Sequence, residues 1–409
     1  MVSHKVTLAL SAAIARIAER VAVHALISRR RNASTAIKRL ASIVFTVFAV
    51  ALLAMPPASA AELVYGSWTP AREYQNAMVM PKIFSGIEKE TQGAIKWKLI
   101  PGGQLADGKA TFTAVRDGLM QAGLAIAVYV PNMVPSLHTL YSTLVFGDDV
   151  VAASGAAMEA FTLNCPSCLE EFRKLNSVPI AGWDSAPYQL MCREPVKSVA
   201  EIKGKRIRAT GGGAEMFRMV GGVPVAGTLS EAVSLLQRGG LDCILGAAEW
   251  LKTFGYGDFV KYVADYPLGM SGPAIGIMLN RDAWKGFTLE QKKIHLKYAA
   301  RMSAEMAIGA FIMSNENSLK EVIAQKGVSL VKVGTDFDGL VANYRKAERD
   351  RNIAVARGFG VQNPAAIIDA YERALVKWKG LSKGIGRDID KFTEALWREI
   401  YSKVDPDKL

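Results

Sequence analysis

The chain has 409 residues, 50% of them hydrophobic, with 50 Lys and Arg against 38 Asp and Glu and only 4 Cys. This composition excludes a disordered or low-complexity chain, and four cysteines are too few for a disulfide-built scaffold. The net charge of +12 would suit a nucleic-acid surface only if it were spread over the fold, and it is not. Lys5, Arg16, Arg20, Arg29, Arg30, Arg31, Lys38 and Arg39 stand against the single acid Glu19 at the front, so more than half of the excess lies before residue 61.

An apolar run from Leu40 to Met55 follows Lys38 and Arg39 and ends in Pro56-Pro57-Ala58-Ser59-Ala60. A basic stretch, an apolar run of this length and small residues at Ala58 and Ala60 predict a secretory signal cleaved after Ala60, hence a periplasmic protein. The run is shorter than the roughly 20 residues of a membrane span, which leaves a signal anchor as the alternative. Residues 1–35 are read as an extended basic leader or as sequence upstream of the true start, and stand outside the fold. No second apolar run of spanning length follows.

Beyond the leader, strand-like and helix-like segments alternate, which predicts an α/β fold. Leu63–Trp68 reads as a strand, Asn76–Thr91 as an amphipathic helix, and Ile95–Ile100 as a strand ending at Pro101-Gly102-Gly103. A helix over Ala110–Gly118 and strands over Ala122–Val130, Val178–Trp183 and Gly204–Ala209 come next. The helix Ser230–Arg238 is expected to start on a Ser N-cap and stop at Gly239-Gly240, before a short buried strand at Ile244–Ala248. From Leu289 the pattern is helical only. Ile294, Tyr298, Met302 and Met306 recur on one face, and the segment runs to about Gln325 with Gly309 inside it. A helix of that length spans roughly 50 Å and reads as a strut across two lobes, with two helices broken near Gly309 as the alternative. Further helices are expected over Asp336–Arg357, Pro364–Trp378 and Asp388–Val404.

No catalytic constellation can be assembled, so the chain reads as a non-enzyme without cofactor or metal. After the leader only His138 and His295 remain, His138 without metal-ligand neighbours and His295 in a Lys-rich helical stretch that predicts a solvated surface position. Cys165-Pro-Ser-Cys168 is either a redox dithiol, half of a zinc site, or a local structural disulfide, and an exported chain favours the disulfide. Cys192 and Cys243 lie in strand-like stretches and could form a second bridge. In Lys205-Arg206-Ile207-Arg208-Ala209-Thr210-Gly211-Gly212-Gly213, strand alternation separates Arg206 and Arg208 from Ile207 and Ala209. Arg208 falls at the strand's C-terminal end beside a helix predicted over Ala214–Val220. Its guanidinium fork there matches a carboxylate, with a solvated surface arginine as the competing reading.

Taken in order, Pro101-Gly102-Gly103-Gln104-Leu105, Trp183-Asp184, Pro195, Ile202-Lys203-Gly204-Lys205-Arg206-Ile207-Arg208, Ser230-Glu231 and Gln237–Asp242 resemble the solute-binding subunit of tripartite ATP-independent periplasmic (TRAP) transporters, the dicarboxylate-binding-protein type. The resemblance covers residues 61–405. It implies a two-lobed periplasmic clamshell, with 61–185 and 274–313 forming lobe I and 186–273 and 314–409 lobe II. Crossing strands and the strut join the lobes. It implies a small organic acid as ligand, Arg208 as the arginine that pairs with its carboxylate, membrane-embedded transporter subunits as partners, no nucleic acid, and a monomer.

Three positions depart from the family pattern. Tyr188 stands where a second arginine is common, and Gly246 and Gly211 where polar cleft residues are common. Tyr188, Tyr129, Trp68 and Trp250 would instead line the cleft with aromatic surface. This predicts a monocarboxylate or a 2-oxo or 2-hydroxy acid, with a C4-dicarboxylate as the alternative. Glu249 is either a hydrogen-bond acceptor for a ligand hydroxyl, a metal ligand, or a capping or surface acid. Readings from other classes are an exported thiol–disulfide redox protein using Cys165 and Cys168, and a binding protein for an ABC importer or a sensor kinase.

Overall fold

The computed structural model describes residues 61–409; the signal segment and residues 1–35 lie outside them. Among the described residues eleven strands form two sheets, with helices between them as the alternating pattern predicts. The first holds β1 (Ala61–Gly66), β2 (Ile95–Ile100), β3 (Ala122–Ala125), β4 (Ser177–Trp183) and β10 (Ala274–Asn280), in the order β2-β1-β3-β10-β4. The second holds β5 (Gln189–Cys192), β6 (Arg206–Arg208), β7 (Val223–Val225), β8 (Cys243–Gly246), β9 (Tyr262–Ala264) and β11 (Ser329–Val331), in the order β11-β9-β5-β8-β6-β7. β4 and β10 are buried at every position, and their near-continuous apolar sequence follows from helices covering both faces.

The chain passes between the sheets after β4 and returns before β10, and the two passages bond to each other. Ser185 N–H donates to Ser271 O at 3.1 Å, Tyr188 N–H to Gly269 O at 2.8 Å and Leu268 N–H to Tyr188 O at 2.8 Å. A third link is the strut, helical without a break from Leu289 to Lys326 and about 55 Å long at the ideal rise. A capping box of Thr288 and Gln291 starts it, and Gly327 in the left-handed conformation ends it. Its middle, Glu305–Ser314, is wound as a π-helix. Gly309 does not break it. A Cβ at 309 would lie 2.5 Å from the Tyr74 hydroxyl, so glycine there lets a turn of the first lobe approach the strut.

Several local expectations change. The helix after β7 is Leu229–Gln237, and its N-cap is Thr228 in a capping box with Glu231, not Ser230. The helix after β6 starts at Gly211, three residues earlier than the pattern suggests, because the triple glycine forms its first turn. Helices Pro364–Ile385 and Ile389–Glu399, expected with the second lobe, pack on helices of the first. Trp378 Nε1 donates to Glu159 Oε2 at 2.7 Å and Ser382 Oγ to Asp149 Oδ2 at 2.6 Å.

Candidate functional site

β6 lies between β8 and β7, with Arg208 paired to Ile244 and Val225, so its side chain leaves the carboxyl end of an interior strand. Arg206, one pleat earlier, finds an acid. Its Nε donates to Asp242 Oδ2 at 3.0 Å and its Nη2 to Asp242 Oδ1 at 2.6 Å. Arg208 does not. It is only 3% exposed, and its Nε and Nη2 both donate to one carbonyl, Gly227 O, at 3.1 and 2.9 Å. No carboxylate pairs with it among the described residues. Two of its five N–H groups are used, and a buried cation whose remaining donors face a cavity is matched by an anion.

The cavity lies between the lobes and is tight, with a volume of about 60 Å³. Trp68, Thr69 and Tyr129 come from the loops after β1 and β3, Ser185 and Tyr188 from the first crossing segment, and Trp250 from the loop after β8. The π-helical stretch of the strut adds Met306 and Phe311. Tyr188 and Trp250 meet at 5.5 Å between ring centroids, and Trp68 and Tyr129 at 5.6 Å. The absent side chain at Gly246 is part of this wall, since a Cβ there would lie 2.2 Å from the Trp250 ring. Burial pushes up the hydroxyl pKa of Tyr129, Tyr141, Tyr188 and Tyr256, while the Arg208 charge pulls each back. Three of these phenols, Tyr129, Tyr141 and Tyr188, line the cavity and make its Arg208 end polar without adding a second charge.

Bonds between the lobes close the cavity. Arg72 Nε donates to Thr253 O at 2.8 Å, Lys109 Nζ to Glu231 Oε1 at 2.6 Å and Leu229 N–H to Tyr129 Oη at 3.3 Å.

Residues 71–337 match the DctP family, the bacterial extracellular solute-binding proteins of family 7. The chain belongs to this family. It is a family of solute-binding proteins of transporters rather than of enzymes. The fold is that of solved TRAP solute-binding proteins. One from a marine metagenome, specific for aromatic acid ligands and in complex with metahydroxyphenylacetate, superimposes with a TM-score of 0.69 at 19% identity, over 78% of this chain and 99% of that one. Another, from Rhodoferax ferrireducens in complex with copurified benzoate, gives 0.68 at 14% identity over 78% and 99%. A third, from Bordetella bronchiseptica with bound (R)- and (S)-mandelate, gives 0.65 at 22% identity over 77% and 99%.

In this solute-binding protein the cavity brings together Arg208, Tyr188, Tyr129, Trp68 and Trp250 from the sequence reading. It leaves out two. Gly211 lines a neighbouring groove with His138, Ser142 and Asn352. Glu249 is wholly buried, with neither carboxylate oxygen bonded, and it lies against Glu73 rather than on the wall. It is therefore no surface acid. Among the described residues no group of three or more His, Cys, Asp or Glu could hold a metal ion. Glu73 itself lines the cavity, a position that no motif or spacing in the chain singles out.

His295 is a correction. It is 1% exposed, stacked on Phe287 at 4.6 Å, and its Nε2 accepts the Trp97 indole N–H at 3.2 Å. Burial lowers its pKa to about 4, which keeps it a neutral core residue. His138 is buried too and likewise lowered to about 4. Both disulfides form, Cys165–Cys168 at a helix start and Cys192–Cys243 across β5 and β8. Cys165 and Cys168 are 2% and 0% exposed, whereas a redox dithiol needs an accessible sulfur.

Proposed function

We propose that this protein captures a monocarboxylate with an apolar or aromatic body in the interlobe cavity and delivers it to the membrane-embedded subunits of a TRAP transporter. The observation that carries the reading is Arg208, buried without an acid at one end of a cavity otherwise walled by Trp68, Tyr129, Tyr188, Trp250 and Phe254. A carboxylate would take the donors that Gly227 leaves free, and the rings would cover the rest of the ligand. The lobes would close over it as a clamshell. Relatives of the same fold that hold mandelate, benzoate and metahydroxyphenylacetate support this ligand class.

A C4-dicarboxylate is the second reading, and the cavity argues against it. Arg208 is the sole Lys, Arg or His among the described lining residues, while Glu73 adds an acid. A thermal-shift panel on the purified protein tests the choice. Binding at 100 times Kd stabilises by about 2.7 kcal/mol, a shift of several degrees. Aromatic and short monocarboxylates are expected to raise Tm. Stabilisation by succinate or malate alone would reverse the assignment.

A further inference from the structure

We infer that the cavity reads a second feature of its ligand through Glu73: a hydrogen-bond donor, hydroxyl or N–H, remote from the carboxylate. This rests on the reading that Arg208 holds that carboxylate.

Glu73 is 6% exposed and sits on the cavity wall just before the π-turn Gln75–Val79. Its Oε2 accepts the Gln75 N–H at 3.0 Å, and among the described residues no hydrogen bond reaches Oε1. The turn is fixed, since Asn76 Nδ2 donates to Thr69 O at 3.1 Å, Thr69 Oγ1 at 2.9 Å and Pro70 O at 3.0 Å. No cation pairs with Glu73 among the described residues. The Asn76 N–H and the Thr69 hydroxyl also favour its charged form, and the ionisable groups around it are acids and phenols. Glu249 lies behind it, its backbone N–H held by Asn315 Oδ1 at 3.0 Å and both carboxylate oxygens unbonded. Tyr65 takes the Gln75 amide at 2.6 Å, and Tyr74 lies between Glu249 and Glu305, the latter already held by Arg301 at 2.8 Å. The Arg208 charge acts on the tyrosines around it, whereas burial is what raises Glu73, and the Glu73 charge in turn raises Glu249. Arg208 stands at the end of β6 and Glu73 just before Gln75–Val79 on the other lobe, and no hydrogen bond joins them across the cavity they share.

A ligand ending in hydrocarbon would leave Oε1 buried and unbonded. One ending in a second carboxylate would meet two acids. A hydroxyl or N–H satisfies Oε1 and adds no like charge. Burial opposes ionisation of Glu73 and sets the pH range in which it is a full acceptor, and Glu249, raised further by the Glu73 charge, stays protonated through that range.

Calorimetric titration of the purified protein with benzoate, its 3- and 4-hydroxy derivatives and the matching benzene dicarboxylates tests this. A hydroxy acid is expected to bind about tenfold tighter than benzoate, and the dicarboxylates at least tenfold weaker than that hydroxy acid. Glu73→Met should abolish the hydroxyl preference, read as the ratio of hydroxybenzoate to benzoate affinity within that variant. The preference should rise with pH about a midpoint near 7 in the wild type. Arg208-dependent benzoate binding without any hydroxyl preference would overturn this inference and spare the carboxylate reading, as would a preference that survives Glu73→Met. Failure of every acid to bind would overturn both. The wild-type series decides alone should Glu73→Met not fold.

Discussion

Replacing Arg208 by Met removes the guanidinium while keeping most of the side-chain volume. Gly227 O occupies the Nε and one Nη2 proton, which leaves donors for two charge-assisted bonds to a carboxylate. At about 1.5–3 kcal/mol each, their loss comes to about 3–6 kcal/mol, roughly a hundred- to ten-thousand-fold in Kd. Folding should suffer little. In the ligand-free protein Arg208 is a buried cation with one carbonyl as its bonded partner, so an apolar replacement is neutral or stabilising. Titration calorimetry with the best acid from the panel measures the first quantity and thermal unfolding of the ligand-free protein the second. A Kd change under tenfold in a variant that unfolds like the wild type would refute the assignment of Arg208 to the carboxylate. Arg208→Lys should fall between, because an ammonium cannot serve Gly227 O and both carboxylate oxygens together.

Burial raises Asp184 and Glu348 to about 7, as it does Glu73, so the fold favours their protonated forms. That stabilisation is complete below the unfolded carboxyl pKa near 4 and is lost as pH rises through about 7. Unfolding monitored by circular dichroism should therefore give a lower Tm at pH 8 than at pH 6, and Asp184→Asn should flatten the drop; a rising Tm would contradict it. The Cys192–Cys243 bridge spans 51 residues and Cys165–Cys168 spans 3. Chain entropy then predicts a cost of about 4 kcal/mol for removing the first and under about 2 kcal/mol for the second, read from denaturant midpoints of the paired Ser variants. Gly212→Ala would place a Cβ 2.4 Å from Ser142 O, a backbone atom. Overpacking of this kind costs about 1–3 kcal/mol and should lower Tm by several degrees.

Much of this molecule is legible in the chain because short-range rules govern it. Arg208 stood out because strand alternation, a strand end and a glycine turn coincide there. The strut stood out through its apolar spacing from Ile294 to Met306. Its π segment did not, since Glu305–Ser314 is buried on nearly every side and carries no periodic signal. Glu73 was illegible for a different reason. An acid between Arg72 and Tyr74 reads as solvated, and only the packing of the strut and of the loop after β8 buries it. His295 misled through its neighbours. Lys292, one turn before it, is itself 8% exposed and reaches Asp407 at 2.7 Å, so a Lys-rich stretch became part of the core rim.

The most direct test of the central claim is a crystal structure of the protein with the acid that gives the largest thermal shift. The account predicts the carboxylate about 3 Å from the Arg208 guanidinium, with the body of the ligand among Trp68, Tyr188 and Trp250. A carboxylate bound elsewhere, with Arg208 still bonded to Gly227 alone, would contradict it.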